Sequence, residues 1–394
     1  MSALGARVEV HEVPVGTLWR LDDDEHHRFT FDPAWLADPR RPMLGQQFED
    51  RRPRDLETSG LPCWFAHFLP QGAWARHLRR WAGLPDDASD LELLLSAVDL
   101  PGALSLTPVS GELLGRSRAL AASPAPPGAL RFTLAGAQWK LSVRRGERGL
   151  VVPVVGEEGE WIAKFHDPEH AGLPSSEHTT LEWARAAGLE VPAARLVGVD
   201  EFADLPPELP RGDGRVLLVR RFDRGEGRRI HFEELAQVAD RVPGDVAGGQ
   251  YTGTYEQLAA LVGALCPNDA GRFLDRLVFT VLSGDGDAHW KNWGLVYPDG
   301  RRARLAPAYD LVPTVAYGDP TLALTIAGVR GFDEVEPRSF TAVGRLLGWA
   351  PAAVTERVAT AAARIRAAFT EVRSGYRDNT RAALEAHLER VQLR

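Results

Sequence analysis

The segment RFLDRLVFTVLSGDGDAHWKNWGLVYPDGRRARLAPAYDLVPT, residues 272–314, constrains the fold more than any other. It opens as an apolar, helix-like run ending at Gly284. Asp285, Asp287, His289, Lys291 and Asn292 then crowd into positions 284–292, ahead of the apolar stretch WGLVY. Pro298-Asp299-Gly300 is turn chemistry, so WGLVYPDGRRARLAPAYD predicts a β-hairpin. Such a hairpin returns Asp310 to the side of Asn292, although the two are 18 positions apart in the chain. An isolated charged loop with a capping aspartate would explain Asp285 alone. Asp287, Asn292 and Asp310 together are oxygen donors of the kind a hard cation and phosphate require.

Lysine usage singles out two further places. The 46 basic residues comprise 43 arginines and three lysines, Lys140, Lys164 and Lys291. Arginine is wide and planar, whereas lysine is a compact point charge, so a lysine that survives such a bias marks a place where the compact group is needed. Lys140 ends RFTLAGAQWK, in which Ala135, Gly136 and Ala137 form a small-residue turn between β-prone runs. Backbone N–H groups of such a turn can approach phosphate oxygens, although AGAQ taken alone is equally an ordinary hairpin turn. Lys164 sits in WIAKF, which alternates as a short strand. Glu177 follows 13 residues on, in LPSSEHTTLEWARAAGLEVP, which predicts a helix capped by Ser175 or Ser176 and closed by Gly188 and Pro192. A strand lysine paired with a helix glutamate is how protein kinases hold a lysine on ATP phosphates, and an aspartate, an asparagine five residues on and a later aspartate are their catalytic and metal-binding set. Taken alone, Lys164 reads equally well as a solvated edge-strand residue.

These motifs together resemble the HipA family, serine/threonine kinase toxins of bacterial type II toxin–antitoxin pairs. Asp287, His289, Lys291, Asn292, Leu305, Pro307, Tyr309 and Asp310 match the family's D-x-H-x-K-N and L-x-P-x-Y-D signature. FTLAGAQWK is similar to its phosphate loop, WIAKF and the following helix to its ATP-lysine strand and glutamate helix, and LLVRRFDR, 217–224, to its hinge. LPCWFAHFLPQGAWARHL, 61–78, is similar to its small N-terminal subdomain, so the resemblance covers almost the whole chain.

The resemblance implies an α+β, protein-kinase-like bilobal fold with a small N-terminal subdomain and a mostly helical C-terminal lobe. It implies ATP and Mg²⁺ as cofactors, with Asp287 accepting or orienting the acceptor proton and Asn292 and Asp310 holding the metal. Lys164 would steady the α- and β-phosphates, covered by Ala135, Gly136, Ala137, Gln138, Trp139 and Lys140. His289 and Lys291 would lie beside the transferring phosphate, and Arg220, Phe222 and Tyr309 complete the nucleotide-binding set. The implied partners are a small helix-turn-helix antitoxin that carries the DNA contact and an aminoacyl-tRNA synthetase as substrate. The chain departs from the family pattern at several places. Thr133 stands where a self-phosphorylated serine is usual, which makes it the expected autophosphorylation site, Arg220 where an acid is frequent, and Asp285 where many members have asparagine. Trp139 and Trp290 are bulkier than usual and could narrow the nucleotide site.

Three units are expected: 1–120 as N-terminal subdomain, 130–220 as the β-rich lobe with the phosphate loop, and 225–394 as the helical lobe, with AASPAPPGA, 121–129, as connector. A net charge of −8 argues against direct grip on DNA. No run of about 18 apolar residues predicts a membrane span, the N-terminus lacks signal-peptide order, and Cys63 and Cys266 read as free thiols, which together place the chain in the cytoplasm. Two other functions fit parts of the pattern: a non-catalytic module for antitoxin and operator assembly, and a small-molecule phosphotransferase. Joint retention of Lys164, Asp287, Asn292 and Asp310 argues against the first, and the N-terminal subdomain with its AGAQ loop against the second.

Overall fold

Alternation of apolar and polar residues in the first 31 positions builds an antiparallel meander. Strands β1 (Leu4–Val10), β2 (Val13–Arg20) and β3 (His26–Phe31) pair in turn, β4 (Leu56–Ser59) extends one edge and β5 (Leu104–Pro108) the other, in the order β4-β3-β2-β1-β5. Their inward side chains meet Trp35, Phe48, Trp64 and Phe65 in one aromatic-rich core. The computed structural model describes residues 4–393 except 22–25, 51–54, 86, 98, 110–137, 148, 154–156, 204, 226 and 245. The connector 121–129 and the turn residues Ala135, Gly136 and Ala137, with Thr133, lie outside the described residues.

A second antiparallel sheet follows: β6 (Lys140–Gly146), β7 (Gly149–Val151), β8 (Trp161–Lys164), β9 (Ala194–Gly198) and β10 (Arg215–Arg220), in the order β7-β6-β8-β10-β9. Its register matters for the site. Lys140 of β6 and Leu217 of β10 are both cross-strand partners of Lys164. Directly opposed residues share a sheet face, so the pairing sets two lysines side by side. The helix Leu173–Ala186 packs on this sheet and buries Glu177 completely. Neither Ser175 nor Ser176 caps it. The helix starts at Leu173, and the N-cap position is taken by Gly172 with φ of +78°, three residues ahead of Ser175, with Pro174 in the first turn. Ser176 is buried inside the helix, where Thr180 Oγ1 donates to its carbonyl. Gly188, with φ of +80°, follows the C-terminal end.

The remainder is mostly helical around a single large core. The apolar run ahead of the charged segment forms the helix Ala270–Ser283, which stops at Gly284 (φ +64°), where a Cβ would lie 2.4 Å from Val315. The expected hairpin is present. A three-stranded sheet joins β11 (His231–Glu234), β12 (Gly294–Tyr297) and β13 (Arg304–Leu305), with Leu295 opposite Leu305. The Ala-rich tail forms the helices Pro351–Val372 and Asp378–Arg390. No helix among the described residues is long and apolar enough to cross a membrane.

Two buried polar junctions fasten the first sheet's unit to the rest. Asp99 pairs with Arg221 at 2.6 Å and Arg224 at 2.6 Å, and Asp223 pairs with both arginines. Elsewhere the fully buried Glu233 carboxylate accepts from Gln46 N, Trp64 Nε1 and Tyr297 OH. Burial nevertheless pushes its pKa up to about 7. That value exceeds the unfolded one, so the native state retains a proton the unfolded chain has released. Stability from this group is therefore present at acid pH and declines as pH rises from the unfolded pKa, about 4.3, to the folded one. We expect the urea midpoint of the wild-type chain to fall between pH 5 and 7.5 relative to Glu233→Gln, by up to about 3 kcal/mol in free energy. Parallel profiles for the two proteins would contradict this.

Candidate active site

The second sheet, the helix Leu173–Ala186 and the charged segment enclose a cavity of about 500 Å³, within the range of small-molecule sites. Lys140, Lys164 and Lys291 all line it, as do Gln138 and His289. So do Arg220 and Phe222 at the end of β10, and Asp287, Asn292, Tyr309 and Asp310 from the charged segment and hairpin.

Lys164 is the centre of the arrangement. The residue is 4 % exposed, and its ammonium pairs with both Glu177 and Asp310. Burial opposes its charge, but the two carboxylates outweigh burial and raise its pKa. Asp310 is the carboxylate that stays charged: burial opposes ionisation, and Lys164 and Lys140 overcome it. Burial raises Glu177 instead. Lys140, beside two other lysines, is lowered by burial. Asp310 has a φ of +52°, a left-handed conformation uncommon for a side-chain-bearing residue.

The charged segment is tied to itself and to the hairpin. Asn292 Nδ2 donates to the Asp287 carbonyl at 2.7 Å, and Tyr309 OH donates to the Lys291 carbonyl at 2.8 Å. Arg276, stacked on Trp293, donates to the carbonyls of Asn292 and Tyr309. The two strips of chain that carry Asn292 and Asp310 are thereby fixed together. Asp285 points inward: its Oδ1 accepts from Asp287 N at 3.1 Å, and burial, then the neighbouring Asp287 charge, push its pKa well up.

Trp139 and Trp290 do not narrow the cavity. Trp139 packs against Trp74, His77 and Trp81. Trp290 is buried, with Arg241 over its ring. Conversely, four residues at the site carry no spacing signal in the sequence. Tyr251 OH donates to Asp287 Oδ1 at 2.7 Å, and Gln250 Nε2 donates to His289 Nε2 at 2.9 Å. Glu234 lies 3.6 Å from Lys291 and 3.1 Å from His67 Nδ1, and Lys291 Nζ donates to the His67 carbonyl at 3.4 Å. The unit of the first sheet thus reaches the cavity wall.

Among the described residues no group of three or more histidine, cysteine or acidic side chains forms a ready metal cluster. The donor set fits magnesium in another way. The amide nitrogen of Asn292 is committed to Asp287, which leaves its oxygen as acceptor, and Lys164 engages only Oδ1 of Asp310. Magnesium takes few protein oxygens and completes its shell with water and phosphate.

Asp285 is buried, and burial favours its neutral form. Asparagine is isosteric with a neutral carboxyl group, so Asp285→Asn is expected to shift folding stability by less than about 1 kcal/mol in urea titrations at pH 7. A loss of several kcal/mol would show that the carboxylate is charged.

Comparison with known proteins supplies the kinship. Residues 132–376 match the HipA-like C-terminal domain and residues 6–107 the HipA N-terminal domain. The putative kinase Y4dM of Sinorhizobium fredii is 34% identical over 335 residues, 81% of this chain and 80% of that protein. The putative kinase Y4mE of the same organism is 29% identical over 331 residues, 76% of this chain and 75% of that protein. A solved structure of the Shewanella oneidensis toxin–antitoxin complex of HipA, HipB and operator DNA superposes with a TM-score of 0.70 at 19% identity, covering 98% of this chain and 97% of that one. The fold is therefore that of HipA, and the chain belongs to the HipA family.

Proposed function

We propose that the chain is a protein kinase that transfers the γ-phosphate of Mg²⁺–ATP to a serine or threonine hydroxyl, as the toxin of a type II toxin–antitoxin pair. The observation that carries this is the buried Lys164 ammonium held between Glu177 and Asp310 at the wall of a cavity shared with Asp287 and Asn292. Transfer of a phosphoryl group needs positioning and charge neutralisation more than covalent chemistry. Lys164, Lys140 and Lys291 concentrate positive charge where a triphosphate would lie. Ile162, Leu181 and Val219, with Phe222 and Tyr309, offer an apolar and aromatic end for the base. Asp287, whose side chain is 46% exposed, faces the opening and is placed to take the acceptor proton. Bound magnesium would be held by Asn292 and Asp310 and would offset phosphate charge. Thr133 remains the proposed site of autophosphorylation.

The partner we infer is a HipB-like antitoxin, which would carry the DNA contact. Support comes from the Shewanella relative, solved with HipB and operator DNA, and from this chain's net charge of −8. An aminoacyl-tRNA synthetase is the substrate class implied by family resemblance.

Two substitutions test the assignment. Asp287→Asn removes a proton acceptor but no metal ligand. It is expected to bind Mg²⁺–ATP normally and to lose about 10²–10⁴ in transfer rate, measured with labelled ATP and a cytoplasmic extract. Wild-type turnover in that variant would refute the assignment of the base. Lys164→Arg keeps the charge but puts a wide fork where a point charge bridges two carboxylates. Its transfer activity is expected to vanish; an active Lys164→Arg protein would contradict the role given to the ammonium.

A further inference from the structure

Tyr251 has no part in the mechanism above, yet its hydroxyl occupies the position that an acceptor must reach. A general base works on a proton only within about 2.6–3.2 Å, heavy atom to heavy atom. Tyr251 OH donates to Asp287 Oδ1 at 2.7 Å, at the wall of the same cavity as Lys164, Asn292 and Asp310. The contact is built from both sides. Trp290 N donates to the Gln250 carbonyl at 3.2 Å and Trp290 Nε1 to the Thr252 carbonyl at 2.9 Å, which clamps the backbone on either side of Tyr251. The tyrosine ring meets His289 edge-on, with centroids 4.6 Å apart. This gives the bulk of Trp290 a purpose: its indole holds an acceptor-bearing loop against the catalytic segment. Gly244, Gly248 and Gly253, with φ of +106°, +76° and +121°, let that loop fold back on itself.

We propose that Tyr251 is a phosphate acceptor of this chain's own catalytic centre, modified within the same molecule. The proposal rests on the kinase function inferred above and adds a site to it. In the step, a bond forms between the Tyr251 oxygen and the γ-phosphorus, and the bond from that phosphorus to the β,γ-bridging oxygen breaks. The phenolic proton passes to Asp287, and ADP leaves. The product carries about −1.5 to −2 charges at neutral pH next to the Asp287 carboxylate. It fills the acceptor position, so the modified protein is closed to protein substrates until the phosphate is removed.

The test uses the full-length wild-type chain, purified free of phosphate and incubated with ATP and Mg²⁺ across a dilution series. Intact mass and peptide sequencing follow the product. The expected result is phosphotyrosine at Tyr251, formed at a rate per molecule that does not change with dilution, and lost in Asp287→Asn. In Tyr251→Phe the phosphate on this peptide is absent while any phosphate on Thr133 persists. An unmodified Tyr251 in a protein that phosphorylates Thr133 or an added substrate overturns the proposal and leaves the kinase function standing. A rate that falls with dilution overturns the intramolecular step. Absence of nucleotide binding and of transfer to any acceptor overturns the kinase function, and the proposal with it.

Discussion

One buried ammonium organises this molecule. Lys164 belongs to the second sheet, Glu177 to the helix that packs on it, and Asp310 to the chain that follows the hairpin; Lys164 and Glu177 are buried, and Asp310 closes the group from the cavity side with its side chain 33% exposed. A buried charge without partners costs several kcal/mol, so sheet, helix and hairpin are obliged to keep this geometry together. Asp310 takes part with its backbone in the left-handed region. One positive charge shared by two carboxylates also leaves the site asymmetric: Asp310 keeps its charge, while burial favours the protonated form of Glu177. Both carboxylates line the cavity, but the charged one is the more exposed, and there a cation and a triphosphate would compete with Lys164 for it.

The unit built on the first sheet is structurally continuous with this site. Glu233 and Glu234 are adjacent in β11 but serve different neighbours. Glu233 receives Gln46 and Trp64 from the N-terminal unit, and Glu234 joins His67 of that unit to Lys291 at the cavity. A displacement of the N-terminal unit would therefore move the acceptor of the Lys291 ammonium. His67 and Glu234 thus form a short physical link between that unit and the cavity.

The parts legible in the sequence were those governed by local chemistry. Turn residues at 298–300 foretold the hairpin, and the hairpin foretold that Asp310 returns to Asn292. Scarcity of lysine marked all three cavity lysines, because a bias against a residue makes its survivors conspicuous. What failed was detail set by tertiary context. Serines at 175 and 176 look like caps, but a left-handed Gly172 starts the helix earlier. Trp139 and Trp290 look like intrusions into the nucleotide site, and both turn away into packed surroundings. Tyr251 and His67 were invisible because they reach the charged segment across 36 and 224 positions of chain, where no periodicity or motif spacing operates.

Lys164, Asn292 and Asp310 are proposed to form a joint site for magnesium and a triphosphate. Equilibrium titration of a non-hydrolysable ATP analogue, with and without Mg²⁺, into the wild-type chain and into Asp310→Asn tests it directly. Magnesium is expected to strengthen binding to the wild type, and the substitution to abolish this enhancement, because the charged oxygen that would receive the cation is gone. Equal enhancement by magnesium in both proteins, or none in the wild type, would contradict it.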